Sequence, residues 1–246
     1  VKVLIGIGDS WTQGVGVLPD TQKRHLNYQN DTFQLKNKIE ENSKSWVSKL
    51  ADKLELTGIN LGICGQGNRA AVKNLYINNI EWDKIESGYL IFLLSERSRF
   101  DVVSEKCIPR TFNTFNVPPC FGEDVMIKNM SIYSEIVACQ ETLLSILEAQ
   151  TFAKAQNLKF YFGYSFDNLI DIKDRFELSK KINWNNCFTP TDNFFNILAD
   201  YQNTPKEYQY YYNLDKSTEY ISYCCHPTDK GYTFISEYIY NFLKIN

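Results

Sequence analysis

Gly8-Asp9-Ser10 follows directly on Val1-Lys2-Val3-Leu4-Ile5-Gly6-Ile7, and that junction constrains the fold more than any other stretch of the chain. The β-branched and apolar run at 1–5 reads as a buried strand. Gly8 permits a sharp turn, and Asp9 and Ser10 stand where a following helix begins. A serine so placed lies at the carboxyl edge of a parallel strand, where open α/β sheets bind their ligands. Asp9 and Ser10 are also favoured helix N-caps, so the same residues suit a purely structural cap.

Near the other end, Cys225-His226-Pro227-Thr228-Asp229-Lys230-Gly231-Tyr232 runs into an amphipathic segment. Gly-Asp-Ser after a first strand, with His-Pro-Thr-Asp-Lys-Gly before a last helix, resembles the SGNH (GDSL-type) hydrolase superfamily. That resemblance implies Ser10 as nucleophile and His226 as the base that activates it. His25 is the other of the two histidines in the sequence and reads as a surface residue. The glycine-rich Gly62-Ile63-Cys64-Gly65-Gln66-Gly67-Asn68 corresponds to the family's second block, whose glycine N–H donates to the oxyanion. Gly65 is the best match, while Gly62 and Gly67 equally suit simple turn formation.

The chain departs from the pattern at two points. Three residues before the histidine, where the family carries an orienting aspartate, stands Tyr223. After the third strand, where the family has Gly-x-Asn-Asp, the chain reads Ser95-Glu96-Arg97-Ser98-Arg99-Phe100-Asp101. Asn68 is the candidate to replace the missing asparagine as a side-chain donor. Arg97 and Arg99 are candidates to stabilise negative charge, or to pair with Glu96 and Asp101. Asp9 is a supporting candidate beside the nucleophile. The orienting role passes to a backbone carbonyl, giving a Ser10–His226 dyad, or to a carboxylate among Asp215, Glu219 and Asp167. Asp229 is better explained by the first turn of the last helix. A glycine and asparagine after strand two, with arginine after strand three, is similar to a divergent, phage-type branch of the superfamily.

The remaining pattern is one of alternating strands and helices. Helical stripes are expected over 46–54 (Trp46, Leu50, Ala51, Leu54), 68–79, about 131–156 (Ile136, Val137, Leu143, Leu144, Ile146, Leu147) and 229–243 (Ile235, Ile239, Phe242, Leu243). Strands are expected at 55–61, 89–94 and 158–164. The whole reads as a single domain over 1–246, a three-layer α/β/α sandwich with a mostly parallel, flavodoxin-like sheet. Insertions fall near 17–44, 102–129 and 168–215. The 102–129 insertion reads as irregular, and 17–44 leaves room for a short helix at 33–42. The aromatic-rich 168–215 region carries a tyrosine run, Tyr208 to Tyr212, suited to interior packing or to stacking on a sugar.

Composition narrows the functions. A net charge of −3 gives no basic footprint for nucleic acid. No apolar run is long enough to span a bilayer, and no signal peptide is read in the stretch before the first strand. Seven cysteines with no C-x-x-C pair read as reduced thiols, Cys64 and Cys139 among them in apolar contexts. No metal and no cofactor are expected. The expected activity is that of a serine ester hydrolase removing small acyl groups, such as acetyl, from a carbohydrate or other ester. The alternative is a catalytically weak or inactive binding module in a larger assembly such as a virion. The expected compartment is the cytoplasm, or a virion for a chain of phage origin.

Overall fold

The structure, a computed structural model, describes residues 1–18, 31–97, 99–103, 109–113, 135–166, 169, 173–201, 218–222 and 225–245. Its centre is a four-stranded sheet of β1 (Lys2–Gly8), β2 (Thr57–Asn60), β3 (Ser87–Leu94) and β6 (Leu158–Tyr164). The strand order is β2-β1-β3-β6 and every pair is parallel. The expected doubly wound, flavodoxin-like order is therefore present. Beyond β6 a fifth position is reduced to one parallel bridge between Phe162 and Cys187.

Successive side chains of a strand face opposite sides, and both sides of this sheet are covered by helices. Val3, Ile5 and Ile7 of β1, with Leu90, Phe92 and Leu94 of β3, join the core beneath α4 (Asn68–Ile77) and α5 (Glu135–Ala155). Leu4, Ile91 and Leu93 join the opposite core, beneath α3 (Trp46–Leu54) and α7 (Asp229–Ile245). On that face Gly6 is a point of close approach. A β-carbon added there would lie 2.3 Å from Val47 Cγ2, so glycine lets α3 settle directly on β1. Short helix α1 (Ser10–Gln13) and the longer α2 (Asp31–Lys44) precede α3, and α6 (Phe194–Tyr201) lies in the 168–215 region.

Three expectations change in detail. Part of the 102–129 segment is ordered as β5 (Pro109–Asn113), paired antiparallel with β4 (Arg99–Val103). Pro109 sits at the first position of its strand, where a missing N–H is tolerated, and Phe100, Val102, Thr111 and Phe112 favour extended backbone. On α5 the buried stripe is Cys139, Leu143, Ile146, Ala149 and Ala153, whereas Ile136 and Leu144 are exposed. Cys64 is exposed rather than buried, because it sits in a tight turn at the sheet edge, while Cys139 is buried as expected. Among the described residues no helix is long and apolar enough to cross a membrane. His25, Asp167, Tyr208 to Tyr212, Asp215 and Tyr223 lie outside the described residues.

Candidate active site

The carboxyl ends of β1 and β3 converge beneath Ser10. Gly8 ends β1 with φ +152°, and an added β-carbon would lie 2.5 Å from the Leu93 carbonyl oxygen and 2.3 Å from Thr12 Oγ1. The turn at this strand end therefore needs glycine. Asp9, fully buried, is the N-cap of α1: its Oδ1 accepts the Trp11 N–H at 3.0 Å. The cap role thus belongs to Asp9, and it leaves the Ser10 hydroxyl available. Ser10 Oγ lies 2.8 Å from His226 Nε2, across 216 residues of sequence. With Nε2 unprotonated the serine O–H donates to it, which is the geometry that activates a hydroxyl nucleophile.

A compact turn presents His226. The Ser222 N–H and hydroxyl both donate to the His226 carbonyl, at 2.8 Å each, and the Cys225 N–H donates to the Ser222 carbonyl at 2.9 Å. Ile221 and Pro227 form an antiparallel bridge across the turn. Cys225 takes a left-handed φ of +60°, uncommon for a residue with a β-carbon, immediately before the histidine. Thr228 then caps α7 as expected, accepting the Gly231 N–H at 3.2 Å. Two contacts join this turn to the serine end. The Tyr232 hydroxyl donates to the Val15 carbonyl at 2.8 Å. Gly16, at φ +93°, lies so close that an added β-carbon would be 2.7 Å from His226 Cβ.

The glycine loop after β2 packs against α1. The Gln66 N–H donates to the Ile63 carbonyl at 3.2 Å, and Gly65 holds φ +82°, the combination found in type II turns. An added β-carbon on Gly65 would meet nothing within 4 Å, so its surroundings are open. Among the described residues neither the Ser10 nor the Gly65 N–H donates a hydrogen bond. Three side-chain amides that the sequence did not single out hold this loop. Asn60 accepts the Gly62 N–H at 2.9 Å and donates to the Thr12 carbonyl at 2.7 Å. Asn74 donates to the Leu61 carbonyl and to Gln66 Oε1. Gln13 accepts the Cys64 N–H at 2.8 Å.

The other candidates fall at different places. Asn68 is buried, and its Oδ1 accepts the Ser95 N–H at 2.9 Å, while its Nδ2 faces the Ser95 carbonyl and Thr142 Oγ1, each at 3.4 Å. It ties the start of α4 to the end of β3. Arg97 is half-buried just past β3, and Arg99 opens β4 opposite Asn113. Glu219 turns its carboxylate to Lys230 Nζ at 2.6 Å, on the exposed side of the histidine turn. Asp229 pairs with Lys49 at 2.9 Å.

No family model and no curated protein matches the chain. Among solved structures it is similar to a carbohydrate esterase whose active site displays divergent catalytic and non-catalytic binding functions. That similarity has a TM-score of 0.51 at 11% identity, covering 100% of this chain and 69% of the other. A lipolytic protein of the G-D-S-L family from Desulfitobacterium hafniense aligns over 98% of this chain and 99% of its own, at 12% identity and a TM-score of 0.48. An acetyl xylan esterase from the rumen bacterium Butyrivibrio proteoclasticus aligns over 99% of this chain and 63% of its own, at 10% identity and a TM-score of 0.48. The strand order and the first of these likenesses define the class of fold: the chain has the α/β/α fold of that carbohydrate esterase, a fold of the SGNH type. At these identities the likeness is one of fold, and the chemistry has to be read from the residues.

Proposed function

We propose that the protein is a serine ester hydrolase that removes small acyl groups, acetyl foremost, from a hydroxylated substrate such as a carbohydrate. The observation that carries this reading is the 2.8 Å approach of His226 Nε2 to Ser10 Oγ. Ser10 Oγ attacks the ester carbonyl as His226 takes its proton. The tetrahedral oxyanion is received by the Ser10 and Gly65 N–H groups, neither of which donates a hydrogen bond among the described residues. Each such donor is worth about 3 kcal/mol in the transition state. The protonated imidazole then gives its proton to the departing alkoxide, and the alcohol leaves. Water, deprotonated by His226, cleaves the acyl–Ser10 ester and releases the acid. Asn68 contributes by holding Ser95 and the base of the glycine loop. A carbohydrate ester as substrate is supported by the carbohydrate esterase to which the fold is similar.

The test is acid release from p-nitrophenyl acetate, butyrate and octanoate and from acetylated xylooligosaccharides. Turnover of acetyl esters, falling with acyl length and reaching the acetylated sugar, is the expected outcome. A folded protein that releases acid from none of these substrates would leave the binding-module reading in its place.

A further inference from the structure

We propose that Gln13 is a positioning residue, which aims the Gly65 N–H at the reacting carbonyl, and that Glu41 fixes the sense of its amide. The proposal rests on the hydrolase reading above for its catalytic consequence. Gln13 stands three residues after Ser10 and is 5% exposed. Its Oε1 accepts the Cys64 N–H at 2.8 Å, and its Nε2 donates to Glu41 Oε2 at 2.8 Å. A backbone N–H can only donate, so the oxygen of Gln13 must face Cys64 and the NH₂ must face an acceptor. The Glu41 carboxylate supplies that acceptor, and its side chain is fully buried. The three groups form one strut from α2, through the end of the nucleophile helix, to the glycine loop.

Close backbone contacts show that the strut has little slack. An added β-carbon on Gly14 would lie 2.3 Å from the Glu41 carbonyl oxygen, and one on Gly62 would lie 2.4 Å from the Gln13 nitrogen. Glycine at both positions lets α2 and the loop press against the two sides of α1. The Gly65 N–H belongs to the central peptide of the Ile63–Gln66 turn. Rotation of that peptide interconverts type I and type II turns and reverses the direction of the N–H. Anchoring the neighbouring Cys64 N–H restrains that rotation. Gln13 thus couples the position of the nucleophile to the direction of the second oxyanion donor.

The experiment compares wild type with Gln13→Met, nearly isosteric but unable to bridge, reading kcat, KM and amide exchange of the peptide spanning 62–67. Misdirecting one oxyanion donor predicts a kcat lower by about 10- to 100-fold with KM within about threefold. Exchange at 62–67 is expected to rise about tenfold, while β1 and β3 keep their protection. Glu41→Gln keeps an acceptor but lets both amides rotate, and is expected to show the same pattern at about 3- to 10-fold. It serves as the test should Gln13→Met not fold. A kcat within about twofold of wild type in a folded Gln13→Met protein, or unchanged exchange at 62–67, overturns the proposal. Should the wild type hydrolyse no ester while exchange at 62–67 still rises in Gln13→Met, the hydrolase reading fails and the strut stands.

Discussion

Ser10→Ala is expected to abolish ester hydrolysis, lowering kcat by about 10⁴-fold or more, in a protein that remains folded. The two consequences separate because of how the strand end is built. Asp9 Oδ1 makes the cap of α1, the Gly8 turn is set by backbone, and the Ser10 carbonyl accepts the Gly14 and Val15 N–H groups without the serine hydroxyl. The Ser10 side chain makes its hydrogen bond to His226. Losing one such bond costs about 1 kcal/mol, or about 2–4 °C in melting temperature for a domain of this size. Assaying acetyl ester turnover alongside thermal melting separates the two effects. Retained turnover in a cleanly folded variant would remove Ser10 from the chemistry.

Gly16→Val is the second variant with a large expected effect, and it acts on the histidine instead of the serine. At φ +93° the backbone disfavours any residue with a β-carbon, at a cost of about 1–3 kcal/mol. The valine β-carbon would also meet His226 Cβ at 2.7 Å, Ser222 Oγ at 3.1 Å and the Pro227 carbonyl oxygen at 3.2 Å. Overpacking of this kind adds about 1–3 kcal/mol. The histidine turn is laced to itself by the Ser222 bonds, so it shifts as a unit and carries the imidazole away from Ser10. A displacement of about 1 Å is enough to cost about 100-fold in turnover. The expected result is a protein that melts well below wild type and, at temperatures where it is folded, turns over about 100-fold more slowly. Wild-type turnover in folded Gly16→Val would show that the contact does not position His226.

The parts of this account differ in how far the sequence discloses them. Ser10 and His226 stand in short local patterns, a strand ending in glycine and a histidine turn before an amphipathic helix, so each can be placed without knowing the rest. Their meeting at 2.8 Å follows once β1 takes a central place in a parallel sheet. The parallel order was legible because β1 and β3 are apolar on both faces and separated by helical stripes. Gln13, Glu41, Asn60 and Asn74 were not legible. Side-chain amides that bond backbone groups leave no periodic trace, and their partners lie as far as 51 residues away in the chain. Asn68 was noticed for a donor role, yet the bonds that define it run to Ser95 and depend on how α4 meets β3. The β4–β5 pairing was hidden by the prolines of its neighbourhood, which mark irregular backbone when read singly.

The measurement that bears most directly on the central claim is labelling by a fluorophosphonate probe, followed by intact mass and peptide mapping. The probe reacts with a serine whose hydroxyl is activated and whose oxyanion site is formed. A single adduct at Ser10, absent in Ser10→Ala and strongly slowed in His226→Ala, is the predicted result. A folded protein that remains unlabelled at Ser10 would contradict it, and would show that the 2.8 Å approach of the two side chains does not make a nucleophile.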